Sequence, residues 1–117
     1  MILSFEGERK KFLALLEENK GVFIFKFTAE WCNPCQTIKP QVDELFHNIM
    51  SDKIICLEID VDECFDIYAF MKTKKMIKGI PTLMAYKKGN TNFYPDDSIS
   101  GTDMKEINAF FERCKKM

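Results

Sequence analysis

No apolar run in this chain approaches the ~18 residues that a helix needs to cross a bilayer. The opening Met1-Ile2-Leu3 reaches Glu6 almost at once, so neither the basic start nor the long apolar stretch of a secretory signal is visible. An excess of one charge is missing too. Seventeen Lys and Arg stand against eighteen Asp and Glu, for a formal net charge of -1. That balance removes the global field that would draw a protein onto nucleic acid or an anionic membrane. Histidine is nearly absent, with His47 alone. Of the five cysteines, only two are closely spaced. A structural zinc site usually needs four Cys or His ligands in two close pairs, so no metal is expected. An odd cysteine count argues against a disulfide framework and fits a reducing compartment, so a cytoplasmic location is expected. There is no G-x-G-x-x-G and no phosphate loop, hence no bound cofactor is expected.

What remains suits one packed unit. The 117 residues are 46% hydrophobic and include eleven Phe, enough for a single domain over 1–117 with its own core. Ile2 to Phe5 reads as a short edge strand. Phe12, Leu13, Leu15 and Leu16 among charges predict a helix from about Glu8 to Asn19, stopped by Gly21. Val22 to Phe27 is apolar on both faces and reads as a central strand. Ile38, Val42, Leu45, Phe46 and Ile49 recur at three- and four-residue steps, predicting a long helix to about Met50 with Pro40 inside it. Lys53 to Ile59 reads as a second buried strand. A third helix is expected to open at Asp62 or Glu63. Thr82 to Tyr86 is the next strand, Lys87-Lys88-Gly89-Asn90 signals a hairpin, and Thr91 to Tyr94 is expected to return. Ser100 or Thr102 is expected to cap a last helix carrying Met104, Ile107, Phe110, Phe111 and Cys114. Alternating strands and helices imply a three-layer α/β/α fold: a mixed sheet of five (or four) strands between about four helices.

The chemistry concentrates at Cys32-Asn33-Pro34-Cys35. A dithiol exchange catalyst needs two thiols close enough to bridge, one of them a thiolate near neutral pH. C-x-x-C at a helix start supplies both. Unpaired N–H groups and the helix dipole favour negative charge on Cys32. Pro34 suits the first turn, where its missing N–H costs nothing.

These residues, with Trp31 before them, resemble the active site of the thioredoxin family. The similarity continues through Phe27-Thr28-Ala29-Glu30, Ile38-Lys39-Pro40, Leu57-Glu58-Ile59-Asp60-Val61-Asp62, Gly79-Ile80-Pro81-Thr82-Leu83 and Lys87-Lys88-Gly89. The resemblance implies a protein-disulfide reductase with Cys32 as nucleophile and Cys35 as resolving thiol. It implies a cis bond before Pro81, with the Ile80 backbone pairing with an extended substrate segment. Trp31, Pro34, Ile80, Pro81 and Gly101 would form the substrate-contacting surface, although Gly101 also reads as a plain turn glycine. Asp62, or Asp60, would accept a hydrogen bond from the Trp31 indole or cap a helix. The implied partners are disulfide-containing proteins and an NADPH-dependent thioredoxin reductase.

The departures from the family pattern are as informative. Asn33 stands where the family usually has Gly. Lys26 stands where many members have a buried Asp that takes the proton of the resolving thiol. A buried ammonium must be paired or neutral, and Glu58 on the expected neighbouring strand is the candidate partner. The pair would then tune the thiols, with Glu58 accepting the proton; the alternative is a Lys26 that snorkels to the sheet end. The basic run Lys72 to Lys78 lies in a segment about four residues longer than in animal cytosolic members. It reads as a solvated helix end, or as the working surface of a binding or scaffold module that retains the fold. Cys56 and Cys114 read as core. Cys64 reads either as a small apolar helix residue or as a surface thiol able to link two chains of an otherwise monomeric protein.

Overall fold

The computed structural model describes residues 2–117. Five strands, β1 (Leu3–Ser4), β2 (Val22–Thr28), β3 (Ile54–Asp60), β4 (Thr82–Lys87) and β5 (Asp97–Ser100), alternate with four helices. The helices are α1 (Arg9–Glu17), α2 (Asn33–Ile49), α3 (Phe65–Thr73) and α4 (Met104–Lys115). The strand order across the sheet is β1-β3-β2-β4-β5. β1 and β2 each run parallel to β3, and β4 pairs antiparallel with β2 and with β5. The three-layer mixed architecture expected from the sequence is therefore present.

β2 is central, and its composition explains why. All seven of its residues are buried. Side chains alternate across a strand, so Phe23, Phe25 and Phe27 enter one core with Phe12, Leu16, Ile67, Met71 and Tyr86. Val22 and Ile24 enter the other, with Ile38, Val42, Phe46, Ile107, Phe110 and Phe111. α1 and α3 thus cover one face and α2 and α4 the other. By the same alternation Lys26 belongs to the α2 face.

Three boundaries differ from the expectation, each for a local reason. The strand expected at 91–94 lies instead at Asp97–Ser100. The side-chain oxygens of Asn90 and Asn92 accept the N–H groups of Asn92 and Tyr94, which competes with ladder pairing. Phe93 turns inward to stack on Phe12 at 5.7 Å, and its carbonyl accepts the Tyr86 hydroxyl at 2.7 Å. α3 opens at Phe65 rather than at Asp62 or Glu63, because Asp60 Oδ1 accepts the N–H groups of both and holds them in a turn. α4 is capped by Asp103, not by Ser100 or Thr102: its carboxylate accepts from the N–H groups of Lys105 and Glu106.

Cys64 also differs from the surface-thiol expectation. It is buried, and its thiol donates to the Phe5 carbonyl at 3.4 Å. A link between two chains through Cys64 would require this corner to open. Cys56 and Cys114 are buried in the α2/α4 core as expected. Met84 is wholly buried, whereas Met76 is partly exposed.

Candidate active site

β2 ends at Thr28 and the chain crosses to α2 through Ala29, Glu30, Trp31 and Cys32. Cys32 is the N-cap of α2, in extended conformation, and its Sγ accepts the Cys35 N–H at 3.3 Å. A sulfur at this point faces the unpaired N–H groups of a 17-residue helix, which stabilise negative charge there. Pro34 sits in the first turn with its ring exposed. Cys35 lies one turn further in. Cys32 and Cys35 are joined as a disulfide, with Cα atoms 5.2 Å apart, inside the 4.4–6.8 Å range that such a bridge accepts. The two residues are only 5% and 3% exposed, so a reacting disulfide must come to the helix end.

A second loop meets the sulfurs there. The Ile80–Pro81 peptide is cis, and the Ile80 carbonyl oxygen lies 3.9 Å from Cys32 Sγ. Gly101, at φ +99°, donates its N–H to the Pro81 carbonyl at 3.0 Å. That backbone conformation favours glycine, so Gly101 is both a turn glycine and a neighbour of this loop. Trp31 is 66% exposed beside Cys32, and its indole donates to Asp62 Oδ2 at 2.8 Å. Asp60 is engaged in the turn described above. Glu30, Asp60, Asp62 and Glu63 surround Trp31 in an open, acidic concavity.

On the α2 side of β2, four charges meet. Lys26 Nζ lies 3.1 Å from Glu58 Oε2 and 3.2 Å from Asp43 Oδ1, with its side chain 3% exposed. The adjacent-strand register puts Lys26 directly opposite Glu58. Lys39 on α2 reaches the same two carboxylates at 3.3 and 3.5 Å. Burial opposes the charge on Lys39, but the field of Glu58 and the hydrogen bond to Asp43 outweigh it and raise the ammonium above its usual range. Lys26 also sits 5.8 Å from the Phe46 ring centre. Glu58 Oε2 is buried and makes these ionic contacts without a directed hydrogen bond among the described residues. Lys26 therefore does not snorkel outward. The sequence reading named Glu58 but missed Asp43 and Lys39. Their i,i+4 spacing on α2 marks them as a pair, but not that the pair turns toward Lys26.

Elsewhere, burial pushes the Cys56 and Cys114 thiols up to about 12. Burial likewise raises the Cys64 thiol, against a weaker pull from the Gly7 backbone. In the basic segment Lys72, Lys74, Lys75 and Lys78 are exposed, with Lys72 and Lys74 also over the Tyr68 and Phe70 rings. No helix is long and apolar enough to cross a membrane, and no metal-holding group of side chains occurs, among the described residues.

Comparison with known proteins agrees with this geometry. The family model described as Thioredoxin matches residues 4–113. Horse thioredoxin is 33% identical over 98 residues, covering 82% of each chain. The solved thioredoxin of Trichomonas vaginalis shares 26% identity and superimposes with a TM-score of 0.69 over 96% of each chain. That of Plasmodium falciparum shares 25%, with a TM-score of 0.73, covering 95% of this chain and 98% of its own.

Proposed function

This chain belongs to the thioredoxin family and is a dithiol–disulfide oxidoreductase, and we propose that it works in the cytoplasm as a reductant of protein disulfides. The observation that carries the proposal is the Cys32–Cys35 bridge at the start of α2, facing the Ile80 carbonyl. In the reduced protein, the Cys32 thiolate attacks one sulfur of a substrate disulfide. The substrate's second sulfur leaves as thiolate and takes a proton. Cys35 then loses its proton and attacks Cys32 Sγ; the substrate sulfur bound there leaves as thiolate and takes a proton, and the Cys32–Cys35 bridge closes. Two electrons have passed to the substrate. An NADPH-dependent thioredoxin reductase would return them. Trp31, Pro34, Ile80, Pro81 and Gly101 would contact the substrate, with the Ile80 backbone pairing with an extended segment. The Trp31–Asp62 bond would orient the indole.

Within the same proposal, Lys26 and Glu58 tune the thiols and Glu58 receives the Cys35 proton. The support is the buried contact between them and the absence, among the described residues, of a directed hydrogen bond at Glu58 Oε2. Three buried free thiols, Cys56, Cys64 and Cys114, suit a reducing compartment and a monomer. The scaffold reading built on residues 72–78 is not favoured, because the bridged Cys32–Cys35 pair and the family match point to redox chemistry.

Insulin reduction measured with NADPH and thioredoxin reductase, against NADPH with glutathione and its reductase, tests the proposal. The expected result is turnover with the first system only, abolished by Cys32→Ser. Turnover with glutathione alone would overturn the choice of partner, and no insulin reduction with any reductant would overturn the reductase reading.

A further inference from the structure

The loop that presents Ile80 is held by side chains outside the active-site motif. Thr82 is 2% exposed, at β4's first position, on the α1/α3 side that Met84 and Tyr86 also face. Its hydroxyl lies 2.6 Å from the Gly79 carbonyl and 2.8 Å from the Ser100 hydroxyl. A threonine has one hydroxyl proton. It goes to the Gly79 carbonyl, the only one of the two partners that cannot donate. Ser100 must therefore donate to Thr82, and the bonds form a directed chain from Ser100 through Thr82 to Gly79. The register pairs Thr82 with Ser100 across β4 and β5, and Gly101 adds its N–H to the Pro81 carbonyl one step further on. The segment Gly79-Ile80-Pro81 is thus fastened at both ends, on either side of Ile80, whose carbonyl faces Cys32 Sγ.

We propose that the Ser100–Thr82 hydroxyl chain is a positioning device: it fixes the 79–81 loop so that the Ile80 backbone is preset to receive an extended substrate segment. This rests on the proposed role of Ile80 in substrate pairing. A loop held in its binding conformation loses less freedom when the substrate arrives. Neither hydroxyl touches the sulfurs, so the chain acts on recognition of a polypeptide and not on thiol exchange itself. Ser100 is exposed on edge strand β5, and its removal leaves no buried cavity. Thr82→Val keeps the shape of the buried residue and removes only the hydroxyl.

The test compares second-order rates of the pre-reduced protein with insulin and with 5,5′-dithiobis(2-nitrobenzoic acid), a disulfide with no peptide backbone. Thr82→Val is expected to slow insulin reduction roughly three- to tenfold, the worth of about one hydrogen bond. Its rate with the small disulfide should stay within about twofold of the wild type. Ser100→Ala should move insulin alone, by a smaller factor, and Thr82→Ser should recover the wild-type ratio. Equal slowing with both substrates, or no slowing with insulin in either Thr82→Val or Ser100→Ala, would overturn the proposal. Should Thr82→Val fail to fold, Ser100→Ala decides alone. A wild-type protein that reduces the small disulfide but not insulin would instead overturn the reductase reading on which the inference stands.

Discussion

Replacing Lys26 by Met probes the buried ion cluster beside the central strand. Met is close to Lys in length and fills the same space, so little packing is lost. What is lost is the cation 3.1 and 3.2 Å from two carboxylates. Removing one partner of a fully buried ion pair costs roughly 3–5 kcal/mol, because the other charge is left uncompensated. Here Asp43 and Glu58 are each 23% exposed and keep Lys39 at 3.3 and 3.5 Å. The expected loss is therefore smaller, about 2–3 kcal/mol. With an unfolding entropy near 2.1 cal/mol/K per residue, that corresponds to a fall in Tm of about 8–12 °C for a chain of this size. Urea unfolding of the oxidised protein at pH 7 measures it, as a lower midpoint with an unchanged slope. Adding Asp43→Leu and Glu58→Leu to Lys26→Met should restore most of the loss, since the one charge left, on Lys39, is 43% exposed and can turn to water. A Lys26→Met protein within about 0.5 kcal/mol of the wild type, the ordinary range for a surface change, would refute the reasoning. It would mean that Lys26 contributes nothing by being charged.

Other outcomes follow from the same geometry. If Glu58 receives the Cys35 proton, Glu58→Gln should slow insulin turnover, and so should Lys26→Met; unchanged turnover in both would exclude that role. Cys35→Ser should accumulate a mixed disulfide between Cys32 and substrate, visible on a non-reducing gel, because the resolving attack is gone. Cys56 and Cys114, raised to about 12 by burial, hold their protons longer when folded than when unfolded, where a thiol titrates near 9. The unfolded chain then binds fewer protons above about pH 9, so stability should fall from about pH 9 toward 12 and level off above. A Cys56→Ala, Cys114→Ala protein should show a shallower alkaline decline in thermal unfolding, and an unchanged slope would count against this account. Lys39, whose ammonium is held above its usual range, contributes its pairing fully at neutral pH and loses it only in strongly alkaline solution. Lys39→Met should accordingly be less stable at pH 7 but converge with the wild type as the ammonium deprotonates.

The sequence alone determined the order of elements, the central place of β2 and the identity of the reacting pair. These are set by interactions between near neighbours in the chain. Seven buried residues in a row mark a strand covered on both faces, apolar steps of three and four mark α2 and α4, and C-x-P-C at a helix start places a thiol against the dipole. The tertiary structure decided what depends on residues far apart. Asn90 and Asn92 satisfied their own backbone and moved the last strand to Asp97, a choice settled by where Phe93 could find Phe12. Burial of Cys64 under Phe5 depends on a contact 59 residues away. The pairing of Lys26 with Glu58 was legible because adjacent buried strands put side chains opposite one another. Its completion by Asp43 and Lys39 was not, because the rotation of α2 against the sheet is fixed by how Val42 and Phe46 pack, not by any spacing along the chain. The Ser100–Thr82–Gly79 chain was hidden for the same reason: hydroxyl partners are chosen by strand register, and the register of β5 against β4 is a tertiary pairing.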